Sequence, residues 1–130
     1  MSTPSRFIAI AAANGGWAVL MGAFGAHGLR GALPPALMQA YETGAAYHLT
    51  HAVVLLTVGL LLWRRPESTW LKASAWCFAV GMLLFSGSLY VMAITGLSAL
   101  GIVTPIGGLV LITGWGLLCI GALQAGRDAA

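Results

Sequence analysis

Residues 44–63 read GAAYHLTHAVVLLTVGLLLW, and this stretch decides the fold. It contains no Asp, Glu, Lys or Arg, and it ends at the basic pair Arg64-Arg65. A bilayer core of about 30 Å is crossed by about 20 residues of α-helix, so the stretch is predicted to span a membrane. His48 and His51 lie in its first half, and polar side chains inside a bilayer are costly and often functional.

Three further stretches share this length and apolar character. Only 7% of the 130 residues are charged and the mean hydropathy is +0.91, whereas about 25% of the residues of a soluble domain are charged. The stretch nearest the N-terminus, Phe7–Ala26, is longer than the apolar region of about 7–15 residues in a secretory signal peptide. We therefore predict that it is retained as a membrane helix. Residues 1–130 are therefore predicted to form a single domain, an all-α integral membrane protein whose four transmembrane helices make a compact bundle at approximately Phe7–Ala26, Gly44–Trp63, Leu71–Tyr90 and Val103–Leu123.

The basic residues indicate how the chain crosses the membrane. Of the six Lys and Arg residues, only Arg30 lies in the first connection, while five lie before helix 1, around the second connection or after helix 4. The positive-inside rule then predicts a multi-pass protein of the bacterial inner (plasma) membrane with both termini in the cytoplasm. The formal charge of +3 is thus a topology signal, and no nucleic-acid partner is predicted. The five residues are Arg6, Arg64, Arg65, Lys72 and Arg127.

The first connection contains Leu33-Pro34-Pro35, followed by apolar and small residues at helical spacing: Leu37, Ala40, Tyr41 and Gly44. Proline is compatible with the first turn of a helix. A short amphipathic helix is therefore predicted between helices 1 and 2. The second connection offers Glu67-Ser68-Thr69 as polar caps before helix 3.

Small residues recur at four-residue spacing on helix 1, and glycines are frequent on helix 4. Such spacing lets helix backbones approach closely in a membrane. Two interpretations stay open, packing within the four-helix bundle and the seam of a homo-oligomer. The pairs are Ala11/Gly15, Ala12/Gly16, Ala18/Gly22 and Gly22/Ala26, and helix 4 adds Gly107, Gly108, Gly114 and Gly121.

All three histidines are predicted to lie near the outer end of the helices. With a rise of about 1.5 Å per residue, His51 and His48 lie about 18 and 23 Å from Trp63, and His27 lies about 31 Å from Arg6. His48 and His51 are three residues apart on one helix face, a spacing that neutral imidazoles can use to bind a metal, and His27 is a third candidate ligand. The alternatives are helix-end caps, which we favour, and a ligand or proton site. No Cys-x-x-Cys-His and no Glu-x-x-His is present.

Catalytic signatures are weak. Cys77 and Cys119 are predicted to be reduced small hydrophobic residues near the cytoplasmic end. Ser86 and Ser88 lack a nucleophile elbow, and Glu42 is the only acid outside the cytoplasmic segments. The sequence therefore predicts that the protein is not an enzyme.

Several ordered motifs resemble a known family. The chain is similar to the YgdD-like family of small four-helix bacterial inner-membrane proteins, whose function is unassigned and which has a human transmembrane relative. The resemblance implies four membrane helices. His48 is not one of the family's motif positions, since related chains can have Gln at this position. These positions are His27, Tyr47, His51, Ser86, Ser88, Tyr90, Thr104 and Pro105, and the motifs are residues 22–27 (GAFGAH), Tyr47 with His51-Ala52, residues 84–90 (LFSGSLY), residues 103–108 (VTPIGG), Gly114-Trp115 and Gly121-Ala122.

The convergence of polar motifs at one depth carries the functional prediction. We predict a non-enzymatic protein with an outer-leaflet polar pocket for a lipid-like or amphipathic ligand or a membrane-protein partner. The alternative is a metal- or haem-binding accessory or assembly protein. No cofactor and no metal site are assigned, and His27, His48 and His51 are the candidates for the alternative. The partners expected are membrane lipid and either a membrane protein or a second copy of the chain. The predicted pocket residues are His27, Tyr47, His51, Ser86, Ser88, Tyr90 and Thr104.

Overall fold

A computed structural model describes residues 2–128 of the chain. A π-helical turn at Gly25–Leu29 extends the first helix, and a 3₁₀ segment at Ser98–Ile102 precedes the last. Residues 2–128 contain no β-strand, and all four helices are long and apolar enough to cross a membrane. The predicted all-α class with four spans is confirmed. The helices are α1 (Thr3–Phe24), α2 (Pro35–Arg64), α3 (Thr69–Thr95) and α4 (Val103–Asp128).

The helices extend beyond the predicted limits, by nine residues at the start of α2, by four at the start of α1 and by five at the ends of α3 and α4. The predicted amphipathic segment is not a separate helix, because α2 begins at Pro35 and continues without a break through Gly44. Helix α3 runs five residues beyond Tyr90 and ends at Gly96, whose φ of 72° is a left-handed conformation that favours glycine. The predicted cap is observed at Ser68, whose hydroxyl accepts a hydrogen bond from the Leu71 N–H at 3.3 Å.

The helices pack against one another mainly in chain order. Helix α1 packs on α2, α2 on α3, and α3 on α4, while α1 touches α3 only slightly. Helices α2 and α3 therefore form the central pair, and α1 and α4 flank it. The main core consists of buried apolar side chains, chiefly Leu55, Val58 and Leu62 of α2 with Phe78 and Met82 of α3.

Glycines play different parts in the two flanking helices. A Cβ on Gly107 would collide with the backbone at Phe85 and Leu84, and one on Gly114 would lie 3.1 Å from the Phe78 ring, so α4 approaches α3 closely. On α1, by contrast, a Cβ on Gly15, Gly16 or Gly22 would meet no atom within 4 Å. Packing within the bundle thus accounts for Gly107 and Gly114 of α4 but not for Gly15, Gly16 and Gly22 of α1.

Candidate functional site

A chain of hydrogen bonds joins α1, α2 and α3 around His48. Asn14 of α1 and Tyr90 of α3 contact the two ring nitrogens of His48, at 3.0 Å to Nε2 and 3.2 Å to Nδ1. The His48 and Tyr90 side chains are both buried, with 5% and 6% of their surface exposed. Buried polar groups are stabilised in an apolar interior only when they are hydrogen-bonded, so these three side chains form a polar unit between the helices.

The contacts of Asn14 assign the tautomer of His48. The Asn14 Nδ2 donates to the Ile10 carbonyl at 2.8 Å, and a carbonyl only accepts, so the amide oxygen Oδ1 faces His48. The His48 Nε2–H therefore donates to Asn14 Oδ1, and the unprotonated Nδ1 accepts from the Tyr90 hydroxyl. In this arrangement the imidazole is neutral and carries its proton on Nε2.

Tyr41 packs beside this unit, nearer the start of α2. Its ring lies 5.0 Å from the Tyr90 ring, and its hydroxyl donates to the Met21 carbonyl of α1 at 2.7 Å. The close approach depends on Gly25, because a Cβ there would lie 2.6 Å from the Tyr41 ring. Two tyrosines thus connect α1, α2 and α3 at this level of the bundle.

A small cavity of about 120 Å³ lies beside the His48 unit. Polar atoms from three helices meet apolar side chains in its wall, and two of those apolar side chains are exposed: Trp17 by 55% and Leu83 by 72%. Because α1 and α3 touch only slightly, the cavity lies where these two helices diverge. It therefore faces the lipid-exposed surface between them. The lining residues are Asn14, Trp17, His48, Met82, Leu83, Gly87 and Tyr90.

His51 belongs to a second group, which faces α4. Its Nδ1–H donates to the Tyr47 carbonyl at 2.7 Å, and its Nε2 accepts from the Trp115 indole N–H at 3.3 Å. The ring contacts Phe78 and stacks with Tyr47, at centroid distances of 5.9 and 5.6 Å. His51 therefore has the tautomer opposite to that of His48 and links α2 to α4.

The serines on α3 are placed differently from each other. Ser88 lies 2.7 Å from the Thr104 hydroxyl and donates to the Phe85 carbonyl at 2.9 Å, so it joins α3 to the start of α4. Ser86 is buried, and within the described part of the chain its hydroxyl has no hydrogen-bond partner. It lies where Gly44 of α2 approaches α3, because a Cβ on Gly44 would be 3.5 Å from the Ser86 carbonyl.

The residues predicted from the sequence to form one pocket thus lie in separate places. Tyr90 belongs to the His48 unit, and Ser88 pairs with Thr104. His51 contacts Trp115 of α4, and the Tyr47 ring lies 4.6 Å from the Phe85 ring of α3. His27 lies exposed on the π-helical turn. A depression of about 160 Å³ at Tyr47 and His51 is lined by residues of α2 alone, which cannot enclose a ligand.

The histidine candidates for a metal do not converge. His48 and His51 are three residues apart on α2, but their ring nitrogens contact different helices. Across residues 2–128, no group of three His, Cys, Asp or Glu side chains is arranged to hold a metal ion. A metal at either imidazole would have to displace a protein hydrogen bond that the ring already makes.

Sequence reasoning gave too little weight to four residues that organise this region. His48 is a candidate only for the metal alternative and not for the predicted pocket, and the predicted separate helix contains Tyr41. Asn14 had a usable signal, because an amide in the middle of an apolar stretch is expected to have a polar partner. No sequence signal connects Trp115 to His51, since the two are 64 residues apart.

The comparisons with known proteins point to one family. The family model described as "Protein of unknown function (DUF423)" matches residues 21–108. The UPF0382 membrane protein YwdK of Bacillus subtilis is 39% identical over 118 residues, which cover 91% of this chain and 96% of the relative. The UPF0382 membrane protein SERP0230 of Staphylococcus epidermidis is 41% identical over 118 residues, 91% of this chain and 95% of the relative.

A third relative has a name that states its membrane. The UPF0382 inner membrane protein YgdD of Escherichia coli is 39% identical over 124 residues, covering 95% of this chain and 94% of the relative. No solved structure matches the chain. The resemblance predicted from the ordered motifs is confirmed by these matches.

Proposed function

This chain belongs to the DUF423 family, whose curated relatives are named UPF0382 membrane proteins and whose function is unknown, and we propose that it binds an amphipathic molecule of the bilayer without catalysing a reaction. In this proposal the polar end of the molecule enters the cavity beside His48, and its apolar part stays in the membrane. The observation that carries the proposal is the polar unit Asn14–His48–Tyr90 in the wall of a cavity that faces lipid.

The cavity size and its polar atoms indicate the class of ligand. About 120 Å³ is well below the roughly 300–1,000 Å³ of pockets that enclose a whole small molecule, so only a head group fits. Among the hydrogen bonds of the described residues, Asn14 Nδ2 uses one of its two N–H groups, and the Tyr90 oxygen retains acceptor capacity. These groups suit a neutral head group that carries a carbonyl or a hydroxyl.

The lining also explains why no reaction is proposed. The cavity wall contains no carboxylate and no thiol, and both ring nitrogens of His48 are engaged by neutral partners. General acid–base catalysis needs a group that is free to exchange a proton with the substrate. The arrangement therefore favours binding.

The positions of the charges on the folded chain support an orientation in the membrane. Arg6, Arg64 and Lys72 lie at the ends of α1, α2 and α3 that share one side of the bundle, and Arg30 lies at the other side. In this proposal the protein is in the bacterial inner membrane, as the name of its Escherichia coli relative states for that protein, with both termini in the cytoplasm. A green fluorescent protein fused to the C-terminus is expected to fluoresce. A dark fusion, together with an active C-terminal fusion to a periplasmic phosphatase, would contradict this orientation.

The chain offers a matched pair of substitutions to test the pocket. Tyr90→Phe and Tyr41→Phe each remove one buried phenol oxygen from neighbouring rings, but only Tyr90 lines the cavity beside His48. The protein is extracted in mild detergent and analysed by native mass spectrometry with identification of the lipids released. Loss of one hydrogen bond worth about 0.5–1.5 kcal/mol is expected to reduce occupancy by a bound neutral lipid about three- to tenfold in Tyr90→Phe.

Tyr41→Phe is expected to retain the lipid at the wild-type level. Equal losses in the two variants would mean that the phenols act only through packing, and the proposal would then be wrong. A wild-type protein that carries no lipid, or one that carries a metal or haem instead, would also contradict it.

A further inference from the structure

Two adjoining cavities lie at the end of the bundle away from Arg30, where the α2–α3 turn meets α4. One cavity, of about 330 Å³, is lined by the turn and by two residues of α4. The adjoining cavity, of about 270 Å³, is largely apolar and lies between α2 and α4 above Leu71 of α3. Arg65 and Gly121 line both cavities. The first is lined by Arg65, Pro66, Glu67, Ser68, Gly121 and Gln124, the second by Leu61, Arg64, Arg65, Leu71, Gly121, Ala122 and Ala125.

The two cavities differ in chemistry, and together they match the two parts of a lipid. Arg65 lies between them and donates from its guanidinium to the Ala125 carbonyl at 2.9 Å, which holds the turn against α4. Arg64 lies on the wall of the apolar cavity. A charged opening thus leads directly into an apolar crevice between two membrane helices.

The local charge favours an anion. Arg64 and Lys72 lie beside the turn, and Arg64 lines the apolar cavity. Glu67 is the acidic residue in the wall, and its 3.9 Å contact with Lys72 is made by a side chain that is 97% exposed. Exposed ion pairs of this kind contribute little, so Glu67 cancels only part of the positive potential.

We infer that this crevice binds the phosphate of an anionic phospholipid, with one acyl chain of the lipid between α2 and α4. Basic pockets between membrane helices at one leaflet favour anionic head groups, because each Lys or Arg near the surface attracts them. The apolar crevice supplies the second requirement, since a free phosphate would leave the contacts with Leu61, Leu71 and Ala122 unused. This site lies at the end of the bundle opposite to His48 and is independent of the proposed function.

The charge of the site can be removed one residue at a time. The full-length protein in detergent is titrated with phosphatidylglycerol, and bound lipid is measured by native mass spectrometry. Arg64→Gln is expected to weaken binding about fivefold. The matched control is Arg30→Gln, which removes the same charge at the other end of the molecule and is expected to leave binding unchanged. Lys72→Gln provides a second test if Arg64→Gln does not fold.

The shape of the crevice can be tested without changing its charge. Ala122 is exposed and lines the apolar cavity, so Ala122→Phe is expected to block the acyl chain and lower phosphatidylglycerol binding at least fivefold. The control, Leu123→Phe, enlarges the next residue of α4, which is exposed and outside the crevice, and is expected to have no effect.

Two further titrations distinguish the source of the phosphate. Phosphatidylcholine is expected to bind at least fivefold more weakly than phosphatidylglycerol, and millimolar inorganic phosphate is expected not to displace the lipid. Equal binding of the two lipids, displacement by inorganic phosphate, or equal losses in Arg64→Gln and Arg30→Gln would overturn the assignment.

Discussion

Helices α1 and α4 flank the same central pair, and both carry small residues at helical spacing, yet they are attached in different ways. Helix α4 lies against α3 through glycines, so that backbone meets backbone at Gly107 and Phe85. Helix α1 is joined to α2 through side-chain hydrogen bonds, which His48 donates to Asn14 and Tyr41 donates to the Met21 carbonyl. A small-residue pattern therefore permits close approach without showing where it occurs.

The consequence is a difference in openness. Helix α4 contacts α3 closely at Gly107 and Gly114, whereas α1 touches α3 only slightly, and the cavity beside His48 lies between these two helices. The same difference appears in burial, because Gly107, Gly114 and Gly121 are buried and Gly16 and Gly22 are exposed. The cavity beside His48 thus lies on the side of α2 and α3 that α1 covers, where α1 and α3 touch only slightly.

The largest effect is expected where α4 touches α3. In Gly107→Ala the added Cβ would collide with the backbone at Phe85, which cannot move aside as a side chain can. Overpacking of this kind costs about 1–3 kcal/mol, and we expect the free energy of unfolding to fall by the upper part of that range. The measurement is the midpoint of SDS-induced unfolding in mixed micelles.

The neighbouring glycine provides the control. A Cβ on Gly108 would lie 3.7 Å from the Phe85 ring, an ordinary van der Waals contact, so Gly108→Ala is expected to be close to neutral. If the two variants unfolded at the same midpoint, the close approach of α4 to α3 would be disproved.

An intermediate effect is expected where α1 is attached. Asn14→Leu leaves the His48 Nε2–H without its acceptor. Interhelical hydrogen bonds in membranes contribute about 0.6 kcal/mol on average and up to about 1.7 kcal/mol, so we expect a loss of about 1 kcal/mol. Amide hydrogen exchange is expected to rise in α1 and to stay unchanged in α4, a contrast that a general loss of stability would not produce.

Thr113→Val tests whether removal of any polar group from a membrane helix is sufficient to lower stability and to raise hydrogen exchange. Thr113 is exposed on α4 and donates only to the Leu109 carbonyl of its own helix at 2.9 Å. This variant is expected to leave both stability and exchange unchanged. An effect as large as that of Asn14→Leu would mean that the contact with His48 has no special role.

Sequence reasoning predicted the helices because the signal for a membrane span is contained within each segment. An uncharged run such as residues 44–63 has to satisfy its backbone internally in lipid, and a helix does this without any neighbour. The helix limits were predicted less accurately. The start of α2 at Pro35 and the end of α3 at Thr95 lie in connecting segments, where the apolar pattern is weak.

The grouping of the polar residues could not be predicted in the same way. His48 and His51 share one face by spacing, but a difference of three residues turns them toward different neighbours once α1 and α4 lie on opposite sides. Which neighbour each ring meets depends on the rotation and placement of other helices. The positions of these residues along α2 were within reach of sequence reasoning, and their partners were not.

The smallest effect, and one of opposite sign, is expected on the open face of α1. A Cβ on Gly16 would meet no atom within 4 Å, so Gly16→Ala adds no clash and removes the backbone freedom that glycine has in the unfolded chain. Ala in a helix is favoured over Gly by about 0.5–1 kcal/mol, and we expect the unfolding midpoint to rise slightly. Native mass spectrometry of the same sample gives the number of chains. A lower midpoint together with loss of a dimer would show that a second copy covers this face, and the small residues of α1 would then pack between chains as those of α4 pack within one.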